Sequence, residues 1–170
     1  MNRPQPSEYD PYYETYISLV PENEIKPVLA AQTAELTALF AKVPEEKGAF
    51  AYADGKWSVK ELLGHLIDAE RMFAYRTFRI SRGDKTPIEG FEQDGYIENA
   101  HSNERSFAEL LTEFELLRQA NMIFFNNLKD DAWTRTGTAN EKEISVRAIA
   151  FIMAGHVRHH LLILNERYLK

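Results

Sequence analysis

The stretch SVRAIAFIMAGHVRHHLLILNERYL, Ser145 to Leu169, decides the fold. Val146, Ile149, Met153, His156, His160, Ile163 and Tyr168 recur with a helical rhythm. Residues at that spacing fall on one stripe of an α-helix, and an apolar stripe needs a core to cover it. The helix is expected over 145–168. Two positions of its inward stripe are histidine, which is the first sign of chemistry.

Three earlier segments carry the same period. Over 24–43 the stripe is Ile25, Val28, Gln32, Leu36, Leu39 and Val43, and Pro27 belongs to an opening helical turn. Over 58–82 it is Val59, Leu62, Leu66, Ala69, Phe73 and Ile80, opened by Ser58 and Glu61 at the spacing of a capping box. Over 106–128 it is Phe107, Leu110, Phe114, Leu117, Asn121, Phe124 and Leu128, opened by the same signal at Ser106 and Glu109. Helices of roughly 20 to 25 residues are about 30–38 Å long. None buries its stripe alone, so the expectation is an all-α four-helix bundle filling residues 1–170 as one domain. Residues 1–20, rich in tyrosine and proline, are expected as an extended arm, and 83–103 as a long loop between the second and third helices. A short hairpin is expected around Gly137 and Asn140.

Composition narrows the function. The chain has 170 residues, 44% hydrophobic and 27% charged, with no apolar run near the roughly 20 residues that span a bilayer. The N-terminus has no charged start followed by an apolar stretch, so a cytoplasmic protein is expected. Zero cysteines exclude disulfides, thiolate zinc sites and a cysteine nucleophile. A net charge of −6 argues against nucleic-acid binding, although Arg71, Arg76, Arg79 and Arg82 could form a local basic patch.

Of five histidines, His156 and His160 are four apart on one helix, about 5–6 Å between Cβ atoms, within reach of one ion. Buried imidazoles need partners, and a metal satisfies both; hydrogen bonds to neighbours are the bland alternative. His65 aligns with Leu62, Ala69 and Met72 on the second helix and also borders the core. Three inward histidines leave one coordination position open, as catalytic sites do. Asp68, one turn beyond His65, is the candidate base or supporting partner, with Glu70 behind it; salt bridges with arginine are the alternative for both. His159 is expected at a surface or interface and His101 in solvent. Gln32 and Asn121 either line a pocket or pair inside the bundle. Arg76, Arg79 and Arg158 are candidates to recognise a substrate carboxylate. The burial of Trp57, Trp133 and the N-terminal tyrosines is open.

The pieces GKWSVKELLGHLIDAER (Gly55–Arg71) and AGHVRHHLLILNERYL (Ala154–Leu169) resemble the DinB-like superfamily, also known as YfiT-like metal-dependent hydrolases. The likeness continues through SRGD (Ser81–Asp84), GFEQDGY (Gly90–Tyr96) and RTGTAN (Arg135–Asn140). It implies an up-down-down-up bundle, often a homodimer, with a divalent metal on His65, His156 and His160. Zinc and nickel are the foremost metals, and iron and manganese also accept imidazole. It further implies a small-molecule substrate and either hydrolysis or transfer with a low-molecular-weight thiol such as bacillithiol or mycothiol. The competing expectations are a non-enzymatic bundle stabilised by its metal and a dimeric interaction module.

Overall fold

A computed structural model describes residues 3–170 of the chain. Four long helices carry the fold: α2 (Ile25–Phe40), α3 (Val59–Ser81), α5 (Phe107–Asn126) and α6 (Val146–Ile163), preceded by the short α1 (Glu14–Ile17) and interrupted by α4 (Gln93–Ala100). α3, α5 and α6 each start where a serine side chain satisfies a free backbone N–H. Ser58 with Glu61, and Ser106 with Glu109, form reciprocal capping boxes, and the Ser145 hydroxyl accepts from the Ala148 N–H. After Ile163 the chain widens into a π-turn, Leu164–Tyr168.

α2 and α3 each pack against both α5 and α6, so α2 lies diagonally across from α3. One apolar cluster joins Ile25, Val28 and Leu29 to Phe73, Ile80, Phe125 and Ile149 through Ala154. The other joins Leu36, Phe40 and Val43 to Val59, Leu62, Phe107, Phe114, Val157 and Leu164. Low residue numbers of α2 therefore meet low numbers of α6, while α3 and α5 run the opposite way. This is the up-down-down-up order. Gln32, Glu70, Arg118 and His156 are all buried at the level where the clusters part.

Part of that level is a closed hydrogen-bond network. Arg118 donates to both Glu70 carboxylate oxygens at 2.8 Å and to the Gln32 side chain and Leu29 carbonyl at 2.9 Å. Asn121 donates to Glu70, and Gln32 donates to the Ala154 carbonyl at 2.7 Å. Gln32 and Asn121 thus pair inside the bundle. The α5 stripe is turned slightly from the expected one: Arg118 and Phe125 are fully buried, while Leu117 and Phe124 are half-buried.

Two connections differ from expectation. The described part of the N-terminal arm is not extended. It turns at Pro6–Glu8 and Pro11–Tyr13 and enters α1, because each proline opens a turn and Asp10 caps the Tyr12 N–H. Ile17 and Val20 are fully buried, which pins the arm against α6. The long connection after α3 is not all loop, since it contains α4, whose first turn is held by Glu92 accepting from the Gly95 N–H. The hairpin is present: β1 (Thr136–Ala139) pairs antiparallel with β2 (Lys142–Ser145). Asn140 and Glu141 turn it with positive φ, as a tight hairpin turn demands. Trp133 is buried beneath it, against Phe125. Among the described residues no helix is long and apolar enough to cross a membrane.

Candidate metal centre

α3 delivers His65 from its second turn, and α6 delivers His156 and His160 from successive turns of one face. All three are buried. Their Nε2 atoms converge: His65 to His156 is 3.0 Å, and His160 to His156 is 3.1 Å. Among the described residues these three form the only group of three or more metal-ligand side chains whose donor atoms all lie within 4.8 Å of one another.

Hydrogen bonding does not account for this arrangement. A neutral imidazole nitrogen carries either a proton or a lone pair, never both in the ring plane. When His156 Nε2 meets two other Nε2 atoms, one linear N–H···N bond can pair only two of the three and leaves the third without a complementary partner. A single cation facing three lone pairs resolves the conflict. Bonds of 2.0–2.1 Å at angles between octahedral and tetrahedral put ligand nitrogens about 2.8–3.4 Å apart, which brackets the observed spacings.

The electrostatics agree. Burial pushes His65 down to about 4 and His160 to about 3. It drives His156 well below the usual imidazole value, helped by the neighbouring His160 and His65. The rings therefore stay neutral near pH 7, with their lone pairs available. The Nδ1 of His160 is buried without a partner.

Aromatic rings fix the imidazoles. Trp57, half-buried, lies over His65 at 4.7 Å and stacks on His160 at 6.4 Å between centroids. Tyr16 and Phe73 pack edge-on to His156. Gly155 makes the Tyr16 contact feasible: a Cβ there would stand 2.0 Å from the Tyr16 carbonyl oxygen. The helix can receive the arm only where it lacks a side chain.

A cleft of about 300 Å³ reaches His160. Tyr52, Trp57 and Tyr168 give it aromatic walls, and Lys56, Gln93 and Asp94 give it polar ones. The Tyr168 hydroxyl donates to the Trp57 carbonyl at 2.7 Å, tying the π-turn to the cleft. Sequence reasoning missed Tyr52, Gln93 and Asp94, since no local signal ties them to the histidines; Tyr168 shares the stripe of His156 and His160, but its place in a cleft was not legible. The position of Trp57 just before the Ser58 cap was the one available hint.

The remaining candidates fall elsewhere. Asp68 is half-buried and pairs with Arg71 at 3.6 Å, and Arg71 also pairs with Glu113 of α5. Burial raises the Asp68 pKa, and Arg71 offsets part of that rise. Asp68 makes no hydrogen bond to a triad imidazole. Glu70 belongs to the Arg118 network. His159 is half-buried, edge-on to Tyr16 and His160, with its pKa lowered by burial. His101 is exposed in the left-handed conformation that ends α4. Among the described residues these four arginines form no basic patch, because Arg71 and Arg79 are paired with carboxylates, Arg76 is buried and Arg82 lies over Phe78 and Phe124.

Comparison with known proteins follows the same lines. The profile of the DinB superfamily matches residues 29–164. YfiT from Bacillus subtilis, a probable metal-dependent hydrolase with an unusual four-helix bundle topology, superposes with a TM-score of 0.76 at 18% identity, covering 96% of this chain and 89% of its own. A mycothiol-dependent maleylpyruvate isomerase superposes with a TM-score of 0.66 at 14% identity, covering 81% of this chain and 58% of its own. At such identities the likeness establishes the fold. No curated protein matches the chain in sequence.

Proposed function

The chain belongs to the DinB superfamily, and from that premise we propose a metal-dependent enzyme whose His65, His156 and His160 hold one divalent cation beside a small-molecule cleft. The convergence of three buried Nε2 atoms carries this reading. A divalent ion there supplies positive charge that makes water or a thiol a competent nucleophile near neutral pH. Zinc or nickel suits a set of neutral imidazoles best, with iron and manganese as the other occupants.

The chain's own groups define the rest. Three protein ligands leave coordination incomplete, and the cleft at His160 gives a substrate access, which favours catalysis over a closed structural site. Without cysteine, a thiol nucleophile must arrive as a cosubstrate, so the chemistry is hydrolysis or transfer of a low-molecular-weight thiol. The two superposed proteins, a probable metal-dependent hydrolase and a mycothiol-dependent isomerase, correspond to these alternatives. For proton transfer, Asp94 is better placed than Asp68, since it lines the cleft while Asp68 faces Arg71 and Glu113. We further propose a homodimer, on the strength of Leu116 and Ile123, apolar and exposed on the outer face of α5.

Metal analysis of the purified protein tests the centre directly. One ion per chain is expected, lost in His65→Ala, His156→Ala and His160→Ala; stoichiometric metal in all three variants would sink the assignment. Turnover is then sought with ester and amide substrates and with thiol–electrophile pairs. Asp94→Asn should cut the rate about a hundredfold or more without changing metal content.

A further inference from the structure

Two arginines in this molecule, Arg118 and Arg147, hold carboxylates by the same edge. Arg118 grips Glu70 through the Nε–Nη2 edge of its guanidinium, both bonds 2.8 Å. Arg147 grips Glu8 through the same edge, its Nε bond 2.7 Å. Two parallel N–H groups on that edge match the two oxygens of a carboxylate. Of the three arginines that are sequence candidates for substrate recognition, two are already engaged: Arg79 by Asp84 and Arg158 by both oxygens of Glu22.

Arg76 is the exception. It is 95% buried by its 5% exposure, yet among the described residues no carboxylate lies within ion-pair distance of it. Its Nε is buried without an acceptor. Its Nη2 donates to the Glu89 carbonyl at 3.4 Å, and the guanidinium also meets the Tyr13 hydroxyl, a neutral partner. A buried guanidinium without a counter-charge is strongly unfavourable, and its bare Nε belongs to the edge that Arg118 and Arg147 use for carboxylates. Phe73, one turn before Arg76, packs on His156 at 5.6 Å, and Tyr16, from the same arm as Tyr13, packs on His156 at 5.3 Å. The position is thus on the arm side of the metal centre, away from the cleft at His160.

We propose that the Nε–Nη2 edge of Arg76 is a binding site for the carboxylate of a small-molecule ligand, with Tyr13 beside it. The site does not depend on the histidines binding metal. Side-chain ¹⁵N–¹H spectra of the full chain, with arginine Nε–H signals assigned through bonds, test it during titration with propionate at constant ionic strength. The expected result is a saturable shift of the Arg76 Nε–H in the millimolar range while the Arg79 Nε–H stays still. Arg76→Lys should weaken propionate binding at least tenfold, read from the ligand's own signals, because an ammonium offers no parallel pair of donors. No shift, or an unsaturable shift common to all arginines, overturns the site. Tighter saturation by inorganic phosphate than by propionate overturns the carboxylate assignment. The titration is repeated on His65→Ala, where persistence of the shift is expected. Retention of stoichiometric metal in that variant, with the shift intact, would count against the metal centre alone.

Discussion

At the scale of single residues, the centre depends on keeping three imidazoles neutral. An unfolded histidine titrates near 6.5, whereas burial puts His65 at about 4 and His160 at about 3 in the fold. Between those values the unfolded chain binds protons that the folded chain refuses, so stability falls as pH drops from about 6.5 toward 4 and is fully present above 6.5. For His65 alone the loss is on the order of 3 kcal/mol by pH 4. Urea midpoints of chelator-treated protein at pH 7.5, 6 and 5 should therefore decline. The decline should be shallower in His65→Ala, and an equal slope in the variant would refute the assignment of the effect to this cluster. Bound metal should remove most of the decline until protons compete for the nitrogens near the folded values.

At the scale of elements, the buried Glu70–Arg118 pair ties α3 to α5, and Gln32 extends the tie to α2. Both charges are fully satisfied, so removing one is expected to cost far more than removing both. Glu70→Ala should destabilise the fold by roughly 3–5 kcal/mol, and Glu70→Ala with Arg118→Met by clearly less. A double-mutant cycle by urea unfolding decides it; additive losses would mean the pair is not coupled. This pair also shows where sequence reading stops. The helices were legible because their stripes and the Ser58, Ser106 and Ser145 starts are local signals. The triad was legible because histidine on an apolar stripe is conspicuous. Arg118 was not, since a charged residue on a helix reads as surface until its partner, 48 positions away, is known. The same blindness to distant partners favoured Asp68, adjacent in sequence, over Asp94, which reaches the cleft only because α4 folds back. α4 itself escaped notice because its cap is a glutamate and its first turn contains Gly95.

At the scale of the whole molecule, a polar level divides the core into two apolar halves, and the candidate metal site spans that level between antiparallel α3 and α6. The bundle's interior is thus committed, and further apolar surface is found outside it. Leu116 and Ile123 are seven residues apart on α5, 61% and 67% exposed, and so project from the same side of the helix. Each borders a groove: Leu116 one of about 610 Å³ beside Arg71 and Arg105, Ile123 one of about 840 Å³ lined by Ala30, Ala34 and Ala38 of α2. A ridge flanked by grooves is self-complementary under a two-fold axis, because the ridge of one copy can enter a groove of the other. The small side chains of α2 allow that approach. The expected species in solution is a dimer of twice 19.6 kDa. Ile123→Lys, which places a charge in the contact without touching the core, should shift it to the monomer with unchanged metal content and helicity. Size-exclusion chromatography with light scattering reads both masses. A wild-type monomer, or an Ile123→Lys protein that remains dimeric, would show that α5 is not the face through which two copies meet.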